Sequence, residues 1–256
     1  MKLNRRNALI TGGSQGLGKA IATQFLQEGA NVVLCARSEH DLLATRAELA
    51  AQFPDRTILA KTCDVAAERQ VDDLVAYALR ELGSIEALVL NAGVYGPMGP
   101  TESVSLEQWR RALDINLFGV LLPCRALIPH FKQVGRGKIV VLSGGGATNP
   151  LPNISAYAAS KAAVVRLMET LAEELRSFHV DVNAIAPGAL ATRLVDEVLA
   201  AGPDKVGAAF FEKNKTWKQN GAVPLELGAG LAVLLPGFIL FKEGGAHLVG
   251  PGRQHF

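Results

Sequence analysis

Six short apolar runs, at residues 8–10, 31–35, 57–63, 85–90, 138–142 and 180–185, dictate what this chain can fold into. Between them lie helical patterns at 17–28, 41–52, 68–82, 106–131 and from 155 to about 177. A strand followed by a helix and then another strand forms a parallel crossover, and repeated crossovers build a doubly wound sheet. The expected fold class is therefore α/β, with a parallel sheet between two helical layers. The 256 residues are enough to bury one such core, so residues 1–256 are expected to form a single domain, atypical from about residue 221. Pro123 is expected to bend the long pattern at 106–131.

Composition excludes several classes of function. A net charge of +2 is too small to argue for a nucleic-acid or membrane surface. Cys35, Cys63 and Cys124 lack metal-ligand spacing, so no metal site is expected and the thiols read as free and buried. The basic stretch at residues 1–7 has no apolar run behind it, and Pro236 and Lys242 interrupt the apolar tail. The chain reads as cytoplasmic.

The first strand leads into Thr11-Gly12-Gly13-Ser14-Gln15-Gly16-Leu17-Gly18. Glycines at 12, 16 and 18 let a pyrophosphate approach the backbone, and the helix that follows presents free N–H groups and a positive dipole end. A Gly-rich turn between a first strand and a helix is the context in which a dinucleotide binds. The second strand ends Cys35-Ala36-Arg37, with no acid where a ribose 2′-hydroxyl would be met. Arg37 can grip a 2′-phosphate, so NADP(H) is favoured over NAD(H). Further on, Tyr157 and Lys161 stand four residues apart in a helical pattern and so share a face. A free phenol titrates near pH 10, too high for ready proton exchange at neutral pH, and a neighbouring ammonium lowers that value. The pair is a candidate proton donor.

From about Asn7 to Thr192 the chain resembles the short-chain dehydrogenase/reductase family. Five blocks recur in family order: Thr11 to Gly18, Cys63-Asp64-Val65, Asn91-Ala92-Gly93, Tyr157-x-x-x-Lys161, and Pro187-Gly188 with Thr192. The resemblance implies a Rossmann-like fold, a nicotinamide cofactor and interconversion of a carbonyl and a secondary alcohol. It implies Asp64 and Val65 at the adenine, with Asn91, Ala92 and Gly93 beneath the ribose and nicotinamide. Lys161 would hold the nicotinamide ribose, while Pro187, Gly188 and Thr192 would border the nicotinamide. Asn116, in the long helix, would continue a proton relay. Homodimers or homotetramers are also implied, paired through the helices that contain Asn116 and Lys161.

Two departures stand out. Similar enzymes end the fifth strand with a serine that holds the substrate oxygen, and alignment puts Gly144 there. Ser143 falls one residue early, on the opposite face of a regular strand. The loop Gly144-Gly145-Gly146 is flexible enough to let Ser143 turn in, so Ser143 joins Tyr157, Lys161 and Asn116 as a catalytic candidate. Were Ser143 to face away, Gly144→Ser would be expected to raise activity if the backbone tolerates a side chain there. The tail is the second departure: the family's final strand is not recognisable, and His247 and His255 read as exposed tail residues. Tyr95, Met98, Leu151 and the loop 192–217 are expected to line a partly apolar substrate pocket. The competing reading is a dinucleotide-binding sensor or scaffold without turnover. A nucleotide-sugar epimerase is disfavoured by the short region after Thr192.

Overall fold

The computed structural model describes residues 1–188, 190, 192–220, 224–237 and 248–249. The first half alternates strictly: β1 (Asn7–Thr11), α1 (Gly16–Gln27), β2 (Asn31–Ala36), α2 (Glu39–Gln52), β3 (Ile58–Thr62), α3 (Glu68–Leu82) and β4 (Ala87–Leu90). Helix α2 starts two residues before its apolar pattern because the Ser38 hydroxyl accepts a hydrogen bond from the Asp41 N–H. Helix α3 ends where Gly83 turns to φ 75°.

The long helical pattern comprises α4 (Leu106–Leu113), a π-helical turn (Asp114–Phe118) and α5 (Gly119–Val134). The irregularity thus lies ahead of Pro123, which sits inside α5 and was expected to mark the bend. Pro123 leaves the Gly119 carbonyl without its helical donor. The wide turn immediately before it carries Asn116, and there the Gly119 N–H reaches back five residues to the Asp114 carbonyl. By length and composition Leu106–Val134 could cross a membrane. Here Ile115, Val120, Leu127 and Phe131 bury it against the sheet as a core helix.

Next come β5 (Gly137–Leu142), α6 (Ser155–Leu175) and β6 (Val180–Ile185). They are followed by α7 (Arg193–Ala201), α8 (Pro203–Val206), α9 (Ala208–Asn220), α10 (Leu225–Gly237) and the short β7 (Leu248–Val249). All seven strands are parallel in the order β3-β2-β1-β4-β5-β6-β7. The central strands β1, β2, β4 and β5 are covered on both faces and read as nearly continuous apolar runs. Leu17, Ile21 and Phe25 of α1 pack on one face with α2 and α10, while α3, α5 and α6 pack on the other. The strand order reverses between β1 and β4, and in such sheets ligands bind beyond the carboxyl ends of the strands at that switch point.

Leu225–Gly237, within the segment read as atypical, forms the packed helix α10. Ala229, Ala232 and Val233 of α10 are buried, and the Gln24 side chain donates to the Glu226 carbonyl at 2.7 Å. Gly228 lets α10 approach closely, since a Cβ there would lie 3.2–3.3 Å from Pro187, Leu17 and Leu190. A final strand does add to the sheet beside β6. His247 and His255 lie outside the described residues.

Candidate active site

The glycines of the first turn are required by close approach. A Cβ on Gly12, which has φ +65°, would come within 3.0 Å of the Ala92 backbone. One on Gly18 would overlap the Gly12 carbonyl. Gly16 also has positive φ, and the methyl group of Thr192 lies 3.9 Å from where its Cβ would be. The first and last sequence blocks therefore meet across one crevice. Extended Gln15 caps α1 without a side-chain hydrogen bond, and no acidic residue occupies the first turn. The N-terminal N–H groups of α1 are left without a side-chain acceptor, which fits a pyrophosphate.

The other turn residues have structural roles. Ser14 accepts a hydrogen bond from Thr45 through its carbonyl, and Leu17 is buried beneath the turn. Asn91 fastens the turn to β4: its amide donates to the Thr11 and Gly12 carbonyls at 3.1 Å. The Thr11 hydroxyl accepts from the Asn91 and Ala92 N–H groups. Asn91 is therefore a tie beneath the site, with its amide protons already engaged by the protein.

At the adenosine end Arg37 is exposed just past β2, and among the described residues it makes no hydrogen bond or ion pair. Asp64 pairs with Arg111 of α4 and accepts from the Ala66 N–H. Burial raises its pKa, but that N–H and Arg111 outweigh burial and hold the carboxyl below its usual range. The Val65 side chain packs into the core against Gly119, where a Cβ would be 2.6 Å away. Only its backbone is left to face a ligand.

Tyr157 and Lys161, one turn apart on α6, are both buried at the ends of β4 and β5. The Lys161 ammonium donates to the Leu142 carbonyl at 2.6 Å and lies 5.6 Å from the Tyr157 ring centroid. It is also 3.7 Å from where a Gly93 Cβ would be. Burial pulls Lys161 down to about 8. Burial, helped by Tyr95, pushes Tyr157 up, opposite to the lowering expected from a neighbouring lysine. The reason is desolvation, which disfavours the phenolate.

Asn116 joins the two halves of the site. Its carbonyl oxygen accepts from the Val94 N–H at 2.9 Å, while its amide donates to the Val94 carbonyl at 2.8 Å and to the Ser160 hydroxyl at 2.9 Å. Ser160 in turn donates to the Tyr157 carbonyl. Sequence reasoning missed Ser160, although it lies within the Tyr157–Lys161 turn and shares its buried face.

Position 144, not 143, faces the phenol. A Cβ on Gly144 would overlap the Tyr157 hydroxyl and lie 3.4 Å from Cζ. Gly144 is fully extended, and the ladder runs on through the Ser143 N–H to the Ile185 carbonyl. Neighbours in extended backbone point to opposite sides, so Ser143 is turned away from Tyr157 instead of into the site. Its hydroxyl is buried and, among the described residues, has no hydrogen-bond partner. With Tyr157 seated as it is, a side chain at Gly144 would meet its hydroxyl, so the condition attached to a gain from Gly144→Ser is not met. Pro187 is buried against α10, and Gly188 turns outward at φ +85°. Tyr95 lies edge-on to Tyr157 with ring centroids 4.8 Å apart.

A family model described as short chain dehydrogenase matches residues 6–202. Glucose 1-dehydrogenase of Gluconobacter oxydans is 39% identical over 188 residues, 73% of this chain and 70% of that protein. The crystal structure of levodione reductase superposes with a TM-score of 0.87 at 29% identity, covering 97% of this chain and 96% of that one. NAD+-bound xylitol dehydrogenase gives 0.84 at 26% identity, covering 93% and 94%. These relatives lend no support to a non-catalytic dinucleotide binder.

Proposed function

Because the chain belongs to the short-chain dehydrogenase/reductase family, whose members are NAD(P)-dependent oxidoreductases of alcohols and carbonyls, we propose that Tyr157 is its proton donor, with Lys161 and Asn116 in support. The observation that carries this is convergence. The Lys161 ammonium lies under the Tyr157 ring and beside Gly93, at the end of the crevice that opens from the Gly-rich turn. The nicotinamide cofactor, when bound, supplies or accepts the hydride.

Tyr157 gives the carbonyl oxygen its proton in reduction and takes the hydroxyl proton in oxidation. Its burial keeps it protonated before reaction, which suits the donor role. Lys161 stabilises the phenolate that forms, and its remaining protons are available to the nicotinamide ribose. Asn116 acts through position: it fixes Val94 on one side and, through Ser160, the start of α6 on the other. The catalytic set is a triad, with Ser143 left as a buried hydroxyl.

Backbone groups of Gly12 to Gly18, with Gln15 and Ser14 at the mouth, hold the pyrophosphate. Asp64 and the Val65 backbone meet the adenine, Ala92 and Gly93 the ribose and nicotinamide, and Pro187, Gly188 and Thr192 the nicotinamide end. Arg37 selects NADP(H), because among the described residues its guanidinium makes no hydrogen bond or ion pair and Ala36 stands where an acid would select NAD(H). The enzyme is a cytoplasmic homodimer paired through α4, α5 and α6, where Leu106, Phe118 and Val134 are exposed apolar residues.

A turnover screen of carbonyls and secondary alcohols with both cofactors tests this reading. NADPH-linked reduction of at least one carbonyl is expected. Tight cofactor binding with no turnover across the screen would overturn it.

A further inference from the structure

Tyr95 lies next to the proposed proton donor and is held there from both sides. The backbone of Val94 before it has its N–H and its carbonyl both bonded by Asn116. Gly96 after it, at φ +75°, is pressed between helices: a Cβ there would lie 2.6 Å from Ala112 of α4 and 3.6 Å from Ala156 of α6. With the backbone held on both sides of it, Tyr95 is preorganised, so little is lost in ordering it around a ligand.

From Tyr95 the aromatic surface continues outward. Phe210 of α9 meets Tyr95 edge-on, with centroids 6.4 Å apart and planes at 85°. The start of α9 is joined to the same rim, since the Gly99 N–H donates to the Asn153 carbonyl and the Asn153 amide lies 3.3 Å from where a Gly207 Cβ would be. Both rings are half-buried and so keep some accessible surface, and that of Tyr95 belongs to a ring whose centroid is 4.8 Å from that of Tyr157. Burial, with Glu197 nearby, pushes the Tyr95 phenol up to about 12, so Tyr95 presents a neutral ring at working pH.

We propose that Tyr95 and Phe210 form the binding wall for an apolar ring of the substrate, so that this enzyme acts on alcohols and ketones whose oxygen is borne on or next to a ring. The proposal rests on Tyr157 as the proton donor: a carbonyl oxygen at Tyr157 puts its substituent along Tyr95 and then Phe210. Rings stack well against aromatic edges and faces, whereas short open chains gain little there. Tyr95 is thus a specificity residue fixed by Asn116, which gives that buried amide a second purpose.

The test compares kcat/KM for ring ketones (cyclohexanone and acetophenone) with that for 2-butanone, in the parent, Tyr95→Ala, Tyr95→Phe and Phe210→Ala. The parent is expected to prefer the ring ketones. Tyr95→Ala should lower the ring-to-chain ratio about tenfold through KM, and Tyr95→Phe should restore most of that loss. Phe210→Ala, on a half-exposed helix face, gives a smaller drop in the same ratio and serves if Tyr95→Ala does not fold. Preference of the parent for 2-butanone overturns the proposal, as does equal damage from Tyr95→Phe and Tyr95→Ala, which would mean that the hydroxyl acts. A parent that binds cofactor but reduces no carbonyl overturns the underlying reading of Tyr157 instead.

Discussion

Gly144→Ala probes how Tyr157 is seated. The glycine leaves no side chain at the end of β5, and the phenol hydroxyl fills that space. A methyl group there would overlap Oη while leaving Cζ in ordinary contact at 3.4 Å, so the ring pivots and its hydroxyl retreats by about 1 Å. A misplacement of about 1 Å at a reacting group costs on the order of 100-fold in kcat, or roughly 3 kcal/mol of barrier. Stability should change little, because the clash is with the far end of a side chain and not with backbone. Ser143→Ala is the matched control. It should leave kcat within a few-fold and raise stability by about 1 kcal/mol, since it removes a buried hydroxyl without a partner. Initial rates by NAD(P)H absorbance and melting temperatures give both readouts. Parental kcat in Gly144→Ala, or a 100-fold loss in Ser143→Ala, would refute this account of the strand end.

Arg37→Ala should weaken NADP(H) about ten- to hundred-fold and leave NAD(H) affinity nearly unchanged, as read by cofactor titration. Equal or tighter binding of NAD(H) by the parent would refute the assignment. Lys161, held near 8 when folded and near 10.5 when unfolded, binds fewer protons in the folded state between those values. Its stability penalty is therefore fully present below pH 8 and is lost as pH rises toward 10.5. Urea unfolding should show Lys161→Met more stable than the parent at pH 7, by at most roughly 3 kcal/mol, with the gap closing by pH 10. A gap that widens with pH would contradict the burial account. Light scattering should return a dimer at micromolar concentration, and Phe118→Asp a monomer; a monomeric parent would sink the proposed pairing.

The parallel sheet was legible because its central strands β1, β2, β4 and β5 are buried on both faces and so stay almost wholly apolar. The nucleotide turn was legible because Gly12 and Gly18 stand where a Cβ would strike Ala92 and Gly12. Features built from long-range geometry were not. No local pattern marks the π-helical turn that aims Asn116 at Val94, and Pro123 pointed only to its neighbourhood. The Asp64–Arg111 pair joins residues far apart in sequence. The direction of the Tyr157 shift depends on burial, which a Tyr-x-x-x-Lys spacing does not report. Residue order alone put Gly144 at the serine's place, but the use of that gap by Tyr157 appears only when α6 is docked on β5. Helix α10 was obscured by its glycines, which serve close packing on α1.

The central claim, proton transfer by Tyr157, is tested most directly by kcat of Tyr157→Phe on a carbonyl the parent reduces, with cofactor affinity measured alongside. A loss of about 100- to 10,000-fold in kcat with cofactor affinity kept within a few-fold is the predicted result. Parental turnover by Tyr157→Phe would contradict the account.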